Sequence, residues 1–487
     1  MTGSLILILI VVYFSLLLLI SHFVSKQSVD NQAFFLGNRS TPWWVVAIGM
    51  VGSSISGVSF VSVPGMVRSI DFSYMQTVFG FFFGYLIIAN VLLPLYYKLQ
   101  LTSIYTYLEQ RFGKNAYKTG ASLFLISKTI GAAARLYVVA IILQTVVFNQ
   151  WNIPFELTVC VIVFFIWLYT YRSGIKTIVW TDTVQAIIMI IALILLVVQV
   201  ASRIEPSESG LVATLFNHEH ARIFVFDDWH STQNFFKQFF SGIFIAVVMT
   251  GLDQDMMQKN LTCRNLADAQ KNMYWYGMSF IPVNMLFLVL GLMLLLLSSQ
   301  LGIELPAKGD EILALFATNY LGQSVLVLFV LGIVSAAFSS ADSALAALTT
   351  SFAVDIMGVQ NHSDLEATRQ RKYIHMGISV VFTIIILVFQ ALNNKSVIDA
   401  IYVIASYTYG PLLGLFVFGL FTKRAATDKL IPYIAIFSPL FCYLISVLFN
   451  TYLAYKFGYE LLMLNGFITF VALWLNSKPV CKQPSKK

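Results

Sequence analysis

Stretches of apolar residues long enough to cross a lipid bilayer follow one another along almost the whole chain of 487 residues. A helix needs about 20 apolar residues to span the hydrocarbon core, because each residue advances it by about 1.5 Å. Stretches of this length can cross only as helices, since the core holds no water to satisfy an open backbone. We predict thirteen spans, at residues 4–24, 43–67, 74–98, 119–148, 155–172, 177–202, 234–256, 273–298, 323–357, 373–392, 397–421, 429–451 and 458–476.

The composition excludes a soluble protein. Only 11% of the residues are charged and 58% are hydrophobic, whereas soluble domains contain about 25% charged residues. The segments between the spans are too short for a large soluble domain, so a single membrane domain is expected over residues 1–487. The four cysteines are too scattered to predict a disulfide framework or a zinc site.

Basic residues give the predicted orientation. If the loop after the first span is cytoplasmic, most of the 30 lysines and arginines fall in cytoplasmic segments. This bias predicts an N-terminus outside and a C-terminus inside. The net charge of +7 is then a property of the membrane surface and requires no nucleic acid. We expect an integral protein of the plasma membrane, specifically a bacterial inner membrane.

The second span is repeatedly interrupted by residues that disfavour a helix, namely Gly49, Gly52, Gly57 and the Pro64-Gly65 pair. Unwound backbone at membrane depth is tolerated only where it is buried in protein or lines a cavity. Freed carbonyls there can bind a cation, whereas freed N–H groups and half-helix dipoles can hold a solute. The alternative is an unbroken, kinked helix that packs closely against its neighbours.

A second interrupted span contains Gly242 and Gly251 within residues 241–255. The interrupted spans are the second and the seventh, so each begins a block of five helices once the first span is set aside. This order is typical of secondary transporters with two inverted repeats. We therefore predict an all-α polytopic membrane protein with a five-plus-five inverted repeat and broken helices. Its predicted parts are an extra N-terminal helix at 4–24, a first repeat at 43–202, a second repeat at 234–421 and two C-terminal helices at 429–476.

Hydroxyl groups and one carboxyl group crowd the ninth span between Ser335 and Phe352. Such groups are costly in hydrocarbon unless they face a cavity, a partner or an ion. Ala336, Ser339 and Ser340 have i, i+3, i+4 spacing and share one helix face. One carbonyl and two hydroxyls suit a monovalent cation. The alternative is that small residues here only allow close helix packing.

Four charged residues lie in or near the ends of predicted spans: Asp182, Asp342, Lys128 and Arg135. An intramembrane carboxylate is a functional candidate by default, and here it could share a cation with serines of the ninth span. The alternative is a structural pair in which either aspartate binds Lys128 or Arg135. Arg135 is equally a candidate for a solute carboxylate, because a guanidinium matches its geometry.

Polar residues of the interrupted spans and their neighbours are further candidates. Asp253 and Asp255 lie at the end of the seventh span. This position indicates an inner gate or a surface ion pair with Lys259. Tyrosines near the Gly410-Pro411 pair are explained as well by core packing or an interfacial belt as by a gate. The tentative solute contacts are Ser53, Ser56, Ser59, Gln76, Arg135, Thr250, Tyr402 and Tyr407.

Taken together, these segments resemble the sodium:solute symporter family, whose members carry sugars, amino acids, vitamins, sialic acid or small anions with sodium. The resemblance extends over nearly the whole chain, and the order and spacing of its motifs are specific. The matching motifs are Leu36-Gly-Asn-Arg-Ser-Thr-Pro-Trp-Trp, Ser56-Gly-Val-Ser-Phe-Val-Ser-Val-Pro-Gly, Tyr107-Leu-Glu-Gln-Arg-Phe-Gly, Trp180-Thr-Asp-Thr-Val-Gln, Asp253-Gln-Asp-Met-Met-Gln-Lys and Ala336-Ala-Phe-Ser-Ser-Ala-Asp-Ser.

The resemblance implies a leucine-transporter-type fold and a shared sodium site. That site takes the carbonyls of Gly52, Ile55 and Ala336 and the hydroxyls of Ser339 and Ser340. Some members bind a second sodium ion, for which the matching positions are Asp182, Ser339, Asp342 and Ser343. A hydroxyl is expected where this chain has Asp342. Sugar carriers have a tyrosine and a glutamine where this chain has Met249 and Ala405, which disfavours a sugar and leaves an anionic or zwitterionic solute open.

The sequence therefore predicts a sodium-coupled importer of a small organic solute that works by alternating access. The expected partners are the solute, Na⁺ and the lipid bilayer, and a monomer suffices. No nucleophile–base pair, metal cluster or phosphate-binding loop occurs in the sequence, so we expect neither an enzyme nor a cofactor beyond the coupling ion. The alternatives are a proton-coupled or uncoupled carrier, in which Asp182 and Asp342 relay protons, and a cation channel.

Overall fold

The structure is a computed structural model that describes residues 2–25, 35–171, 174–205, 208, 210–359, 362–392 and 397–479; at a few helix ends, including residues 397–403, only the backbone is described. Helices dominate these residues. Their bounds are α1 Thr2–Ser25, α2 Trp43–Ser54, α3 Gly57–Ile70, α4 Tyr74–Ile87, α5 Leu93–Lys98, α6 Thr106–Arg111, α7 Lys114–Leu143, α8 Phe155–Thr170, α9 Ile175–Ala201, α10 Leu211–Phe216, α11 Phe235–Ala246, α12 Gln254–Asn260, α13 Leu266–Leu301, α14 Ile312–Asn319, α15 Gln323–Ser351, α16 Asp364–Leu392, α17 Val397–Phe421, α18 Ile431–Leu453 and α19 Leu461–Leu475.

Each predicted span coincides with helical structure, and the predicted all-α architecture is confirmed. Among the described residues, nine helices are long and apolar enough to cross a membrane, or ten if the bent pair Phe235–Gly251 and Gln254–Asn260 forms one span. The outer faces of α16 and α18 expose large apolar side chains such as Ile384 and Leu444, as expected where lipid replaces water. The count of thirteen and the orientation of the termini stay predictions.

The predicted break in the second span is confirmed. Helix α2 ends at Ser54 and α3 begins at Gly57, with Ile55 and Ser56 in extended conformations between them. The Ser56 hydroxyl caps α3 by accepting a hydrogen bond from the Ser59 N–H. Because Ser56 does not continue the α2 ladder, the Gly52 carbonyl loses its helical partner and is available to another group.

The seventh span is broken as well. A π-helical turn at Val247–Gly251 follows α11, and α12 then leaves at an angle of 70°. Asp253 begins α12 by accepting hydrogen bonds from the N–H groups of Asp255 and Met256. This bend carries α12 inward, and every residue from Gln254 to Asn260 is buried.

Helix α15 lies at the centre of the protein, since every residue from Gly332 to Ser351 is buried. It packs against α9 and also contacts α2, and α9 and α2 pack against each other. Small residues allow this close approach: a Cβ placed on Gly52 would lie 2.7 Å from the Cβ of Ala186. The small residues of the ninth span also pack closely, since a Cβ on Gly57 would lie 3.3 Å from the Cβ of Ala337, and the polar residues of this span are buried with them.

Two shorter elements close the ends of the bundle. The first consists of the 3₁₀ turn Gly309–Glu311 and the helix α14 that follows it. This segment packs over α3, and the backbones of Gly65 and Gly309 are in direct contact there. Arg68 fastens it through a 2.8 Å hydrogen bond to the Pro306 carbonyl. At another end, β1 (Arg424–Ala426) pairs antiparallel with β2 (Ser477–Pro479) and so joins the segments that follow α17 and α19.

The contact between α4 and α11 gives a first prediction. A Cβ on Gly80 would overlap the carbonyl oxygen of Phe239, which belongs to the backbone and cannot turn aside. We expect Gly80→Ala to lower the stability of the protein by about 1–3 kcal/mol through overpacking. Thermal unfolding of the detergent-solubilised protein measures this effect.

Gly377→Ala is the matched control, because nothing lies within 4 Å of a Cβ at Gly377 in α16. There the substitution should leave stability unchanged or raise it by up to about 1 kcal/mol, since alanine is the better helix former. Equal midpoints for the two variants would show that α4 and α11 do not approach as closely as described.

Candidate functional site: a cavity and a buried ion-pair cluster

A cavity of about 150 Å³ lies beside the breaks of both interrupted helices. Its apolar lining includes Phe81, Met249 and Phe280. Its polar lining comes from the break itself and from helices α4, α7, α12, α13 and α17. The polar residues are Ser53, Ser54, Ser56, Ser59, Tyr74, Tyr85, Ser127, Lys128, Arg135, Thr250, Asp253, Tyr276, Asn284 and Tyr409.

The carboxylate of Asp182 is the centre of a buried polar cluster next to this cavity. It accepts hydrogen bonds from Ser339 Oγ at 2.8 Å and from Ser343 Oγ at 2.9 Å. Ser53 Oγ lies 3.0 Å from the same carboxylate and 3.4 Å from Ser339 Oγ. The structure thus brings together three of the four residues proposed for a second sodium ion, and it adds Ser53 to them.

Asp342, the fourth of those residues, has other partners. Its carboxylate accepts a 2.8 Å hydrogen bond from the Tyr169 hydroxyl and a second one from the N–H of Ser343. Asp342 and Tyr169 are both buried. The Asp342 side chain therefore binds α8 to α15, while Ser339 and Ser343 of the same helix bind Asp182.

Lys259 provides the positive charge beside Asp182. Its Nζ lies 2.9 Å from Asp182 Oδ2 and 3.5 Å from Asp255 Oδ1, and it donates a hydrogen bond to Ser53 Oγ. The side chains of Lys259 and Asp182 are both 0% exposed. A buried charge is tolerated only when it is paired and hydrogen-bonded in this way.

The ion pairs continue from Lys259 toward the cavity. Lys128 Nζ lies 2.8 Å from Asp255 Oδ2 and 3.2 Å from Asp253 Oδ2. The Tyr409 hydroxyl donates to the same Asp253 oxygen at 2.8 Å. This network links α7, α12 and α17 below the cavity.

These pairs differ from those considered in the sequence. Asp182 binds Lys259 rather than Lys128 or Arg135, and Lys128 binds Asp253 and Asp255. Asp253 and Asp255 form no surface pair, because both are buried. The inner gate expected at these two residues stays a prediction.

The two helices that carry most residues of the predicted first sodium site, α2 and α15, pack against each other. Gly52 and Ile55 lie at the break, and a Cβ on Gly57 would be 3.3 Å from the Cβ of Ala337. On the α15 side, the Ser340 hydroxyl donates to the Ala336 and Ala337 carbonyls at 3.1 and 3.0 Å. Ser339 faces both this region and Asp182.

Arg135 lies on the cavity wall and is half-buried. None of the ion pairs or hydrogen bonds found among the described residues involves its guanidinium. Tyr409 of α17 lines the same cavity. An arginine that faces a cavity without an internal anion is available to an anion that enters it.

The other solute candidates divide into two groups. Ser53, Ser56, Ser59 and Thr250 line the cavity. Gln76 and Tyr407 do not, and the side chain of Tyr402 lies outside the described residues.

Gln76 has a different place because it anchors a loop. Its amide donates to the carbonyls of Ser73 and Gln233 at 3.2 and 2.9 Å, and its oxygen accepts from the Val225 N–H at 3.0 Å. Tyr407 packs its ring 6.3 Å from that of Tyr443. The proposed contact of Gln76 or Tyr407 with solute is not supported by this geometry.

Several residues of the site were not singled out in the sequence. Tyr276 accepts or donates a 2.6 Å hydrogen bond with Ser54 at the break and a 3.1 Å bond with Tyr85. From the sequence, Lys259 is expected only in a surface ion pair with Asp253 or Asp255. The one sequence feature that indicates a buried Lys259 is its i, i+4 spacing from Asp255, which places both charges on one face of a short helix.

A family model described as "Sodium:solute symporter family" matches residues 34–429. The chain belongs to the sodium:solute symporter family. The match covers both interrupted helices, the cavity and the Asp182 cluster.

Relatives and a solved structure agree with this assignment. The sodium/sialic acid symporter SiaT of Proteus mirabilis is 23% identical over 423 residues, which are 85% of this chain and 84% of that protein. The mouse sodium-coupled monocarboxylate transporter 1 is 26% identical over 255 residues, 52% of this chain and 41% of that protein. A Na⁺-coupled sialic acid symporter, solved in a substrate-bound outward-open state, matches with a TM-score of 0.83 at 19% identity and covers 99% of both chains.

Membership confirms several predictions from the sequence. This sodium:solute symporter is an integral membrane transporter that couples a small solute to Na⁺, and its relatives are transporters rather than enzymes. The leucine-transporter-type fold is confirmed by the structural match.

Proposed function

We propose that this symporter imports a small organic monocarboxylate together with sodium. The observation that supports this proposal is the guanidinium of Arg135, which faces the cavity and has no internal anionic partner among the described residues. A carboxylate is the group that best matches a guanidinium, because two parallel hydrogen bonds can form between them. The hydroxyls of Ser56, Ser59 and Thr250 are then available to the other polar groups of the solute.

The size of the cavity favours a small solute. An apolar cavity of about 150 Å³ in another protein holds a molecule the size of benzene, and this cavity has about that volume. A monocarboxylate of three to five carbons fits such a space, whereas a sialic acid requires a wider conformation. The relatives named for sialic acid and for monocarboxylates both carry carboxylates.

We propose that sodium binds between the break in the first interrupted helix and α15. Its ligands are the carbonyls of Gly52, Ile55 and Ala336 and the hydroxyls of Ser339 and Ser340. An ion there ties α2 to α15 and so stabilises one conformation of the cavity. Because the coupling between two ligands is reciprocal, sodium raises the affinity for solute and solute raises the affinity for sodium.

The transport cycle follows from the two sides of the cavity. The network of Lys128, Asp253, Asp255 and Tyr409 closes one side by joining α7, α12 and α17. We infer that this is the cytoplasmic gate, which opens when the two repeats rock against each other in alternating access. The inward sodium gradient drives the cycle, and a membrane potential of about 100 mV adds about 2.3 kcal/mol per charge.

The finer topology belongs to the same proposal. It consists of thirteen spans, an outer N-terminus, a cytoplasmic C-terminus, and inverted repeats at 43–202 and 234–421 in a monomer of the bacterial inner membrane. The basic residues of the predicted cytoplasmic segments support this orientation.

Uptake by purified protein in liposomes tests the proposal. We expect radiolabelled lactate to accumulate when sodium is higher outside, and accumulation to stop when monensin collapses the sodium gradient. Lactate and pyruvate should compete with each other, and N-acetylneuraminic acid should compete weakly. Lactamide, which lacks the carboxylate, should not compete.

Three results would contradict this assignment in different ways. Accumulation driven by a pH gradient without sodium would support the proton-coupled alternative. A sodium flux that does not saturate and needs no solute would indicate a channel. Strong uptake of N-acetylneuraminic acid without lactate uptake would keep the symporter and exclude the small monocarboxylate.

A further inference from the structure

The ammonium of Lys259 occupies the place where a second cation would be expected. The resemblance to symporters that bind two sodium ions points to Asp182, Ser339 and Ser343 as ligands of the second ion. In this chain Ser339 and Ser343 bind the Asp182 carboxylate, and Oδ2 of that carboxylate lies 2.9 Å from Lys259 Nζ. The ammonium also donates to Ser53 Oγ, which lies 3.4 Å from Ser339 Oγ.

The Asp182 carboxylate of this cluster already accepts hydrogen bonds from both serines. Ser339 and Ser343 donate their hydroxyl hydrogens to Asp182 at 2.8 and 2.9 Å. Asp342 is bound to Tyr169, and among the described residues the ion-pair partners of Lys259 are Asp182 and Asp255. Asp182 is therefore already paired with a cation that belongs to the protein itself.

A sodium ion added to this cluster would meet a fixed positive charge a few ångströms away. Lys259 cannot withdraw to water, because its side chain is 0% exposed and Asp255 holds it from the other side at 3.5 Å. Like charges repel strongly at such distances where water is excluded. The same carboxylate cannot neutralise both cations.

We propose that Lys259 is a tethered cation that replaces the second sodium ion, so that this protein binds one sodium ion per chain. The inference rests on the proposed sodium-coupled symport and specifies its stoichiometry. It also has a structural consequence. Because Lys259 binds Asp182 of α9 and Ser53 of α2, α12 stays bound to both helices whether or not sodium is present. Only the first sodium site, at the break, then responds to the sodium concentration.

Equilibrium binding of ²²Na⁺ to the purified full-length protein tests this inference directly. We expect one sodium ion per wild-type chain, and a Hill coefficient of about 1 for sodium-stimulated uptake, since this coefficient cannot exceed the number of sites. In Lys259→Met the side chain keeps its length and loses its charge, which leaves Asp182 open. We expect this variant to bind two sodium ions per chain.

Two further variants make the assignment specific to Asp182. Lys259→Met combined with Asp182→Asn removes both charges and should return the count to one sodium ion. Lys118→Met is the matched control, because the Lys118 ammonium donates to the Ile356 carbonyl rather than to a carboxylate. It should bind one sodium ion like the wild type.

The outcomes separate this inference from the proposed function. Two sodium ions bound to the wild-type chain would overturn the tethered cation and leave the symport intact. A folded Lys259→Met protein that still binds one sodium ion would also overturn it. If Lys259→Met does not fold, the wild-type count decides by itself. A wild-type protein that binds no sodium and shows no sodium-stimulated uptake would overturn the proposed function instead.

Discussion

Replacing Arg135 by glutamine should raise the KM for a monocarboxylate roughly 100-fold, which corresponds to about 3 kcal/mol of lost binding free energy. Glutamine keeps a hydrogen-bond donor at this position but removes the positive charge and the paired geometry. The guanidinium has no internal ion pair among the described residues, so its removal leaves no buried anion of the protein unpaired. Initial rates of lactate uptake over a range of lactate concentrations give the KM.

Two comparisons tie this effect to a solute carboxylate. Arg135→Lys keeps the positive charge but not the planar guanidinium. It should raise the KM for the monocarboxylate roughly 10-fold, since one hydrogen bond to a charged group contributes about 1.5–3 kcal/mol. Arg222→Gln removes an arginine that pairs with exposed Asp227 on the loop before α11 and should leave the KM unchanged. If Arg135→Gln transports lactate with the wild-type KM, the solute carboxylate binds elsewhere.

Removing the Ser340 hydroxyl should lower the sodium affinity by roughly 10-fold to 100-fold, because a neutral ligand to a charged group contributes about 1.5–3 kcal/mol. Among the described residues, the Ser340 hydroxyl bonds only to carbonyls of its own helix, at 3.1 and 3.0 Å. Those carbonyls keep their helical partners after Ser340→Ala, so the fold without sodium should lose little stability. Sodium titration of lactate uptake, with thermal unfolding in sodium-free buffer, measures the two quantities separately.

Ser335→Ala is the control for this variant. Ser335 is a buried serine of the same helix, one turn before Ser339, and its hydroxyl has no hydrogen-bond partner among the described residues. The same chemical change there should leave sodium affinity at the wild-type value. A Ser340→Ala protein with normal sodium dependence would remove Ser340 from the first sodium site.

The polar groups of the site were predictable because they are costly at membrane depth. Asp182, Ser339 and Ser343 stand out in apolar helices, and helical spacing places the two serines on one face of α15. The structure then brings them within 2.9 Å of the Asp182 carboxylate. These residues could be identified as candidates from the hydrophobicity of the helices around them and from the helical repeat of 3.6 residues, which are both properties of a single segment.

The role of Lys259 was not predictable in this way. Lys259 follows Asp253 by six positions, just beyond the end of the seventh predicted span, so in sequence it resembles a lysine at a membrane surface. The 70° bend after the π-helical turn directs α12 into the protein instead. A bend of this kind depends on what packs against both halves of the helix, and local propensity contains no such information.

Gln76 shows the same limit. Its position in a membrane helix made it a reasonable solute contact, yet its amide binds the Gln233 carbonyl and the Val225 N–H of a distant loop. A buried amide takes whichever partners the neighbouring backbone offers, because an unsatisfied one is costly.

The sequence by itself determined the membrane helices and the two interruptions, because hydrophobic length and helix-breaking residues act within one segment. The order of its motifs, through their resemblance to the sodium:solute symporter family, also indicated coupling to sodium. The tertiary structure alone decided which charge neutralises which. Asp182 lies within reach of a lysine on α12 rather than one on α7 only because α9, α2 and the bent α12 converge. Electrostatic pairing in a low-dielectric interior depends on distances of a few ångströms between helices that are far apart in the chain, and only their packing sets those distances.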